Sequence, residues 1–197
     1  MFYEGNNWLI PAIIGGVVIL IIIIIIALVA WYIKTGNRLL KMQVKCDEAV
    51  SGIDVQLTKR FDTLTKMLDI TKGYAKHEKE TLIGVIEMRR PVTGSSIAEK
   101  QECEAQMNQA MKNINIVMER YPELKADKNF AQLNSAVMDI EDNLQAARRV
   151  YNSNVRALNE AIVVFPSSFV ANKKGITKRD FFEAEEQKRQ DVKMDFS

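Results

Sequence analysis

A run of uncharged residues near the beginning of the chain constrains its fold most strongly. No Asp, Glu, Lys or Arg occurs at positions 5–33, and six isoleucines follow one another at positions 21–26. As a helix at ~1.5 Å per residue, positions 9–33 would extend about 37 Å, more than the ~30 Å hydrocarbon core of a bilayer. The run therefore predicts one transmembrane helix at 8–33 rather than a buried core helix.

Aromatic and basic residues flank this predicted span. The two Trp residues of the chain, Trp8 and Trp31, stand at its ends, and Tyr32 follows the second. Because aromatic rings prefer the headgroup region, we predict Trp8, Trp31 and Tyr32 as membrane-interface anchors, together with Lys34 and Arg38. The preceding flank, MFYEGNN, has no Lys or Arg, and the apolar run is longer than a signal-peptide core. We therefore expect the segment to stay on the mature protein.

The basic residues also predict the orientation in the membrane. All 27 Lys and Arg residues follow the span, and four of them come just after it. The positive-inside rule places 1–7 outside and the bulk of the chain in the cytoplasm, as a single-pass protein of the cell membrane. Cys46 and Cys103 have neither metal-site nor disulfide spacing, which agrees with a reducing compartment. The four basic residues could also bind anionic lipid, and the sequence leaves both roles open: Lys34, Arg38, Lys41 and Lys45.

Helical periodicity predicts an all-α fold. Between the prolines at 91, 122 and 166, apolar residues recur every three or four positions, and the longest series, 130–165, is a heptad seam with one stutter. Ser96 and Glu99 form a capping-box pattern. We predict an elongated, mostly antiparallel bundle of about four helices at 34–166, with a short helix near 77–90. Its first helix continues the membrane helix, and Thr35-Gly36 is the position where the sequence allows a break. Residues 167–197 form a C-terminal segment that packs on the bundle or the membrane. The predicted core positions are Leu39, Met42, Cys46, Val50, Ile53, Leu57, Phe61, Leu64, Leu68, Cys103, Met107, Ala110, Ile114, Val117, Tyr121, Phe130, Leu133, Val137, Ile140, Leu144, Ala147, Tyr151, Val155, Leu158, Ile162 and Phe165.

Motifs that carry chemistry are missing from the sequence. His77, the single histidine, stands among charged residues, and no phosphate-binding loop or GxSxG elbow occurs. The net charge of +2, with acids interspersed among the bases, gives no nucleic-acid footprint. We therefore predict no catalytic residue, no cofactor, no metal and no nucleic-acid partner. An enzyme with an unrecognised site is the less favoured alternative.

A second basic segment lies near the C-terminus. Lys173, Lys174, Lys178 and Arg179 precede the pair Phe181-Phe182. This segment either docks on a membrane or a partner, or its two Phe side chains pack back on the bundle, and the second interpretation is favoured.

Five stretches of the chain resemble the LemA family of bacterial membrane proteins. They are GIDVQLTKRFDTL at 52–64, KGYAKHEKETL at 72–82, ERYPELKADKNF at 119–130, ARRVYNSNVRALNEAIVVFPSSFVA at 147–171 and FFEAEE at 181–186. The resemblance implies an antiparallel helical bundle, anchored by one N-terminal helix and expected in the cytoplasm. It implies no reaction and no ligand. The chain departs from the family pattern at 65–67, TKM, and at 172–180, NKKGITKRD.

Polar residues of the matching stretches are candidates for contacts between helices. We hypothesise a pair between Arg148 and either Asp54 or Asp62, because a charge near a seam requires a partner. Solvated surface pairs are the alternative. The polar members of the motifs are Asp54, Gln56, Arg60, Arg148, Arg149, Tyr151 and Asn152.

The features together predict a membrane-anchored, non-enzymatic helical scaffold or interaction protein. Its expected partners are the lipid bilayer, further copies of itself and another membrane protein. The alternative is a single-pass signal transducer that works with a separate membrane sensor, because about seven residues outside are too few to bind a ligand.

Overall fold

The computed structural model describes residues 9–75, 78, 82, 85, 86 and 88–183, with side chains from position 12. The described part is all-α, without a strand. It divides into an N-terminal unit, Met1–Gln43 with Leu158–Lys178, and a bundle unit, Val44–Ala157 with Arg179–Ser197. Its helices are α1 Leu9–Tyr74, α2 Ile97–Arg120, α3 Pro122–Ala126, α4 Lys128–Val163 and α5 Ser167–Lys173.

The described residues of the chain leave the first part of α1 uncovered. Every side chain at 12–31 is exposed, including the whole isoleucine run. By length and composition, α1 is the one helix of the described residues that could cross a membrane. The predicted continuation of the helix beyond the apolar run is confirmed, since α1 passes through Thr35 and Gly36 without a break. Gly36 serves close packing, because a Cβ at that position would overlap the side chain of Lys174.

The rest of the N-terminal unit consists of the following part of α1 up to Gln43, the end of α4, the turn after it, α5 and the residues to Lys178. Its buried apolar side chains include Leu39 on α1 and Ile162 on α4. The predicted seam ends there, and Phe165 is 82% exposed, so its assignment to the core is wrong. Since the residue before a proline disfavours the α conformation, α4 ends at Val163 and Phe165 lies in the turn before Pro166. The other buried residues of this unit's core are Leu158, Val170, Ala171 and Ile176.

Contacts within the bundle unit give the directions of its helices. The Asn154 side-chain amide donates to the Lys45 carbonyl at 3.1 Å, and Arg60 meets Glu141 further along, so α1 and α4 run antiparallel. Arg60 also meets Asn108, and Asp54 meets Lys100, so α1 and α2 run in the same direction.

The connection from α1 to α2 runs back along α2. Arg120 contacts Glu78 at 3.1 Å, whereas the Arg89 carbonyl lies 3.5 Å from the Cys103 sulfur. The predicted, mostly antiparallel bundle is thus confirmed, since α4 runs opposite to α1 and the described residues of this connection run opposite to α2. In the short helix predicted near 77–90, the described positions 82, 85 and 86 are helical, and His77 lies outside the described residues.

Periodic apolar positions form the core of the bundle unit, as the sequence predicts. Because positions three or four apart share one helix face, each helix presents a continuous apolar stripe to its neighbours. Other predicted positions, such as Phe61 and Leu133, are half-buried at the edge of the stripe. The fully buried members on the main helices include Cys46, Ile53, Leu57, Leu64, Met107, Ala110, Ile114, Val117, Phe130, Leu144, Tyr151 and Val155.

Side-chain caps fix the starts of α2 and α4. The predicted capping box is confirmed: the Glu99 N–H donates to the Ser96 hydroxyl at 3.2 Å, and the Ser96 N–H donates to the Glu99 carboxylate at 2.7 Å. Asp127 caps α4, since its carboxylate accepts from the Phe130 N–H and the Tyr74 hydroxyl, each at 2.9 Å. The caps satisfy backbone donors that a helix cannot pair internally.

The Asp127 cap generates a pH-dependent stability. Hydrogen bonds from the Phe130 N–H and the Tyr74 hydroxyl lower the pKa of Asp127. A lowered folded pKa gives stabilisation that is present above the unfolded value and lost as the pH falls through the folded value. We expect Asp127→Asn to reduce the loss of melting temperature between about pH 5 and about pH 2, followed by far-UV circular dichroism in detergent. Asp139→Asn, an exposed carboxylate of the same helix, controls for the loss of one charge; identical pH profiles for the two variants would contradict the assignment.

Candidate functional site

Charged side chains lie inside the bundle unit, between helices. Lys100 is 1% exposed, and Asp54, Arg60 and Glu104 are also buried. Burying an isolated charge costs several kcal/mol, which is about the net stabilisation that several hydrogen bonds contribute. Each of these groups therefore requires a partner. We call the set of seven residues that supply and pair them the charged ladder: Asp54, Arg60, Lys100, Glu104, Asn108, Glu141 and Arg148.

The first contact of the ladder joins α1 to α2. The Lys100 ammonium donates to the Asp54 carboxylate, and its nitrogen lies 3.3 Å from the Ser95 hydroxyl. Ser95 belongs to the loop before α2, so this ammonium also ties the loop to the bundle. The contact is a charge-assisted hydrogen bond in a nearly dry site, where such bonds are strongest.

The second contact joins α2 to α4. The Arg148 guanidinium forms an ion pair with the Glu104 carboxylate, and its carbon lies 5.1 Å from the centre of the Phe182 ring. A cation at this distance from an aromatic face is attracted by the ring quadrupole. Phe182 therefore covers the outer side of a pair that its ring also stabilises.

The third contact joins all three long helices. Arg60 of α1 donates to the Asn108 side-chain oxygen at 2.7 Å and lies 3.1 Å from the Glu141 carboxylate. Gln145, one turn along α4, donates to the other oxygen of Glu141 at 2.9 Å. A guanidinium suits this position, because its planar fork of donors can reach two helices at once.

Local sequence places the ladder on one face of α2. Lys100, Glu104 and Asn108 are four residues apart, so their side chains lie one above another along the helix. Glu104 and Asn108 are next to Cys103 and Met107, and Lys100 falls in the same register. Polar residues in the register of an apolar stripe are the sequence signal that could have revealed the ladder.

A C-terminal strap, residues 179–183, lies across α4 beside the ladder. The Asn152 amide and the Phe182 backbone exchange two hydrogen bonds, of 2.9 and 2.8 Å, so this side chain pairs with the strap as a second backbone would. The Tyr151 hydroxyl donates to the Asp180 carbonyl at 2.8 Å, and Arg179 pairs with Asp47 of α1. These contacts hold Phe182 against Arg148.

Known proteins with similar sequences cover the same region. The LemA family model matches residues 49–196, which include the ladder and the strap. This chain belongs to the LemA family. It is also similar to Protein LemA of Metamycoplasma hominis, with 29% identity over 163 residues, which are 82% of this chain and 74% of that protein. The resemblance seen in the sequence motifs is thereby confirmed.

The charged residues that we expected to pair with one another contact other partners in the structure of this LemA chain. Asp54 pairs with Lys100 and Arg148 pairs with Glu104, while Asp62 lies 3.5 Å from Arg90 at the surface. The pairing of Arg148 with Asp54 or Asp62 is therefore wrong. The physical reason is that α2 offers a carboxylate to Arg148 and an ammonium to Asp54, which removes the need for a direct contact between α1 and α4 there.

The proposed interface anchors lie in the N-terminal unit. Trp31, Lys34 and Arg38 are exposed on α1, and Tyr32 is half-buried. Trp8 lies outside the described residues. The flanks of the apolar run identified these residues in the sequence, and the exposure of Trp31, Lys34 and Arg38 leaves those three accessible to solvent or lipid.

Only one of the two Phe side chains of the basic C-terminal segment packs back on the bundle, as the favoured interpretation expects of both. Phe182 is 3% exposed and packs on the bundle, as the favoured interpretation expects, whereas Phe181 is 41% exposed. Lys173, Lys174 and Lys178 are exposed in the N-terminal unit. Only the second Phe therefore belongs to the core.

A cleft of about 430 Å³ opens where the loop before α2 meets that helix. Arg89, Arg90, Lys100 and Cys103 line it, among others. Burial raises the pKa of the Cys103 thiol, which favours the protonated and less nucleophilic form. Among the described residues, no group of three or more His, Cys, Asp or Glu side chains could hold a metal ion. The described chemistry of the site is thus that of paired charges that position helices.

Removal of one partner of the first ladder contact should destabilise the bundle. We expect Lys100→Met to lower the unfolding free energy by about 3–5 kcal/mol, because it leaves the Asp54 carboxylate buried without its cation. Urea unfolding of the detergent-solubilised chain, followed by circular dichroism, measures the change. Asp54→Leu combined with Lys100→Met should lose far less than the single variant. Lys112→Met, an exposed lysine of the same helix, should stay within about 0.5 kcal/mol of wild type. Equal losses for Lys100→Met and Lys112→Met would refute the pairing.

The two adjacent Phe residues of the strap provide a matched pair. We expect Phe182→Ala to cost about 3–5 kcal/mol, because a buried ring leaves a cavity and Arg148 loses its aromatic cover. Phe181→Ala should cost less than about 1 kcal/mol, since its ring is largely in solvent. The same unfolding assay compares the variants, and the reverse order of losses would show that the strap is held differently.

Proposed function

We propose that this LemA-family chain is a membrane-anchored, non-enzymatic helical interaction protein. Its N-terminus lies outside the cell membrane, and its bundle acts in the cytoplasm. One observation carries the proposal: α1 exposes every side chain at 12–31 in a segment without a charge. Moving an Ile or Val side chain out of water contributes about 1.5–3 kcal/mol, so a bilayer stabilises this segment strongly.

The charges support the proposed orientation. Lys34, Arg38 and Lys41 are exposed just beyond the apolar run, and no Lys or Arg precedes it. Basic residues in this position are retained on the cytoplasmic side. The same residues can bind anionic headgroups, at about 1 kcal/mol each near the surface.

The interior of the bundle supports a structural rather than a catalytic role. The ladder joins charges across α1, α2 and α4, and such contacts specify which helix faces meet. The heptad seam of α4 is buried within the single chain, as at Leu144 and Tyr151, so it supports no assembly by itself. The exposed apolar side chain of Val44 on α1 instead supports self-association.

Charges placed inside the span test the anchoring. We expect Arg at Ile19, Ile22, Ile23 and Ile26 together to prevent stable insertion, because each central Arg costs about 2.5–3.5 kcal/mol and the four about 10–14 kcal/mol. The measurement is the share of protein that stays with membranes after alkaline carbonate extraction. Leu at the same four positions preserves apolarity and should remain in the membrane fraction. Wild-type protein in the carbonate supernatant would overturn the proposal.

Signal transduction with a separate membrane sensor is the second candidate. The observation that favours it is the continuity of α1 through Thr35 and Gly36, where the sequence allows a break. Affinity purification from detergent-solubilised membranes separates the two candidates. Stoichiometric recovery of another membrane protein favours transduction, whereas recovery of further copies of this chain, counted by mass photometry, favours a scaffold.

A further inference from the structure

The proposed function does not involve an exposed apolar turn in the N-terminal unit. Val163, Val164 and Phe165 follow one another with exposures of 56%, 57% and 82%, and Phe169 is 55% exposed. We call these four residues the hairpin tip. Three consecutive exposed apolar residues are unusual on a soluble surface and mark a site of contact with another apolar phase.

The hairpin tip is an ordered turn. The Ser167 hydroxyl contacts the Ala161 carbonyl at 2.6 Å and the Val164 carbonyl at 2.9 Å. The Ser168 N–H also donates to the Val164 carbonyl, at 2.9 Å. Backbone groups that are paired in this way can enter an apolar phase at a lower cost than free ones. The turn therefore presents its side chains from a hydrogen-bonded backbone.

Contacts within the same unit place the tip near the end of the predicted span. Lys174 packs on Gly36, which is three residues, or about 4.5 Å of helix, beyond Ile33. The seven residues of α5, about 10 Å of helix, separate Lys174 from the turn at Phe165 and Pro166, and Phe169 lies within this helix. The tip is thus close to the level at which α1 leaves the apolar run.

The charges around the tip are almost all of one sign. Positions 34–43 and 158–178, which the structure describes completely, contain Glu160 as their one acid. Exposed basic side chains next to apolar ones are the combination that binds anionic lipid surfaces. The basic residues of these two segments are Lys34, Arg38, Lys41, Lys173, Lys174 and Lys178.

We propose that the hairpin tip inserts into the interface of the leaflet from which α1 emerges, as a second membrane contact beside the anchor. Phe165 and Phe169 lie among the acyl chains near the headgroups, and the lysines after α5 contact anionic headgroups. This inference rests on the proposed membrane anchoring of α1. The two contacts together fix how the N-terminal unit meets the bilayer, which a single helix alone leaves free to rotate.

Tryptophan quenching by brominated lipid tests the proposal in the full chain. Trp8 and Trp31 are first replaced by Phe, and Phe165→Trp then supplies the only indole. The protein is reconstituted in vesicles of phosphatidylglycerol and phosphatidylcholine. The phosphatidylcholine carries bromine atoms near the headgroup end of its acyl chains. We expect the indole at 165 to lose as large a fraction of its emission as Trp31 does when it is the only indole. Val150→Trp, at a 55% exposed position of the bundle unit, should keep its emission.

Each result distinguishes the inference from the anchoring on which it rests. Quenching at 31 but not at 165 overturns the inference and leaves the anchoring intact. A lack of quenching at both positions overturns both. A blue-shifted emission at 165 without quenching by bromine also overturns it, because the tip is then covered by protein, such as a second copy of the chain.

Discussion

Burial of the Lys100 ammonium is the constraint on which the arrangement of the bundle depends. A lysine that is 1% exposed requires a carboxylate within reach, and α1 supplies Asp54. Because the next two ladder positions on α2 follow at four-residue steps, the alignment that satisfies Lys100 also brings Glu104 and Asn108 to their partners. If α2 slid by one turn along its neighbours, several charges would lose their partners at once. The apolar side chains of the stripe would only exchange one apolar neighbour for another. The ladder therefore specifies alignment, and the apolar stripe supplies the driving force for packing.

Periodicity made the helices and most of their buried positions predictable from sequence. Ile53, Met107 and Leu144 lie in the core as predicted, because helical spacing alone determines which positions share a face. The partners of Arg148 were not predictable in this way, because they depend on which helix lies beside which. Phe165 follows the period of α4, yet the helix stops before Pro166, so the pattern runs one step beyond the structure that it predicts. The family motifs identify the bundle but leave open which of their polar residues meet.

The two units of the chain show opposite relations between side chain and surroundings. In the bundle unit, charges lie inside among apolar residues, and each is stabilised by a partner. In the N-terminal unit, the apolar residues at 12–31 of α1 are exposed, and no described part of the chain covers them.

Intramolecular burial of the α4 seam changes which surfaces can engage partners. A long heptad series in a sequence suggests a second helix from another chain, but here α1 and α2 of the same chain meet that need. Among the described residues, consecutive exposed apolar side chains lie at the predicted membrane end, on α1 and at the hairpin tip. Since both surfaces adjoin exposed lysines and arginines and only one acid, a bilayer with anionic lipids complements them in polarity and in charge. An interaction protein built in this way would keep its bundle surface, which is mostly polar, for contacts in the cytoplasm.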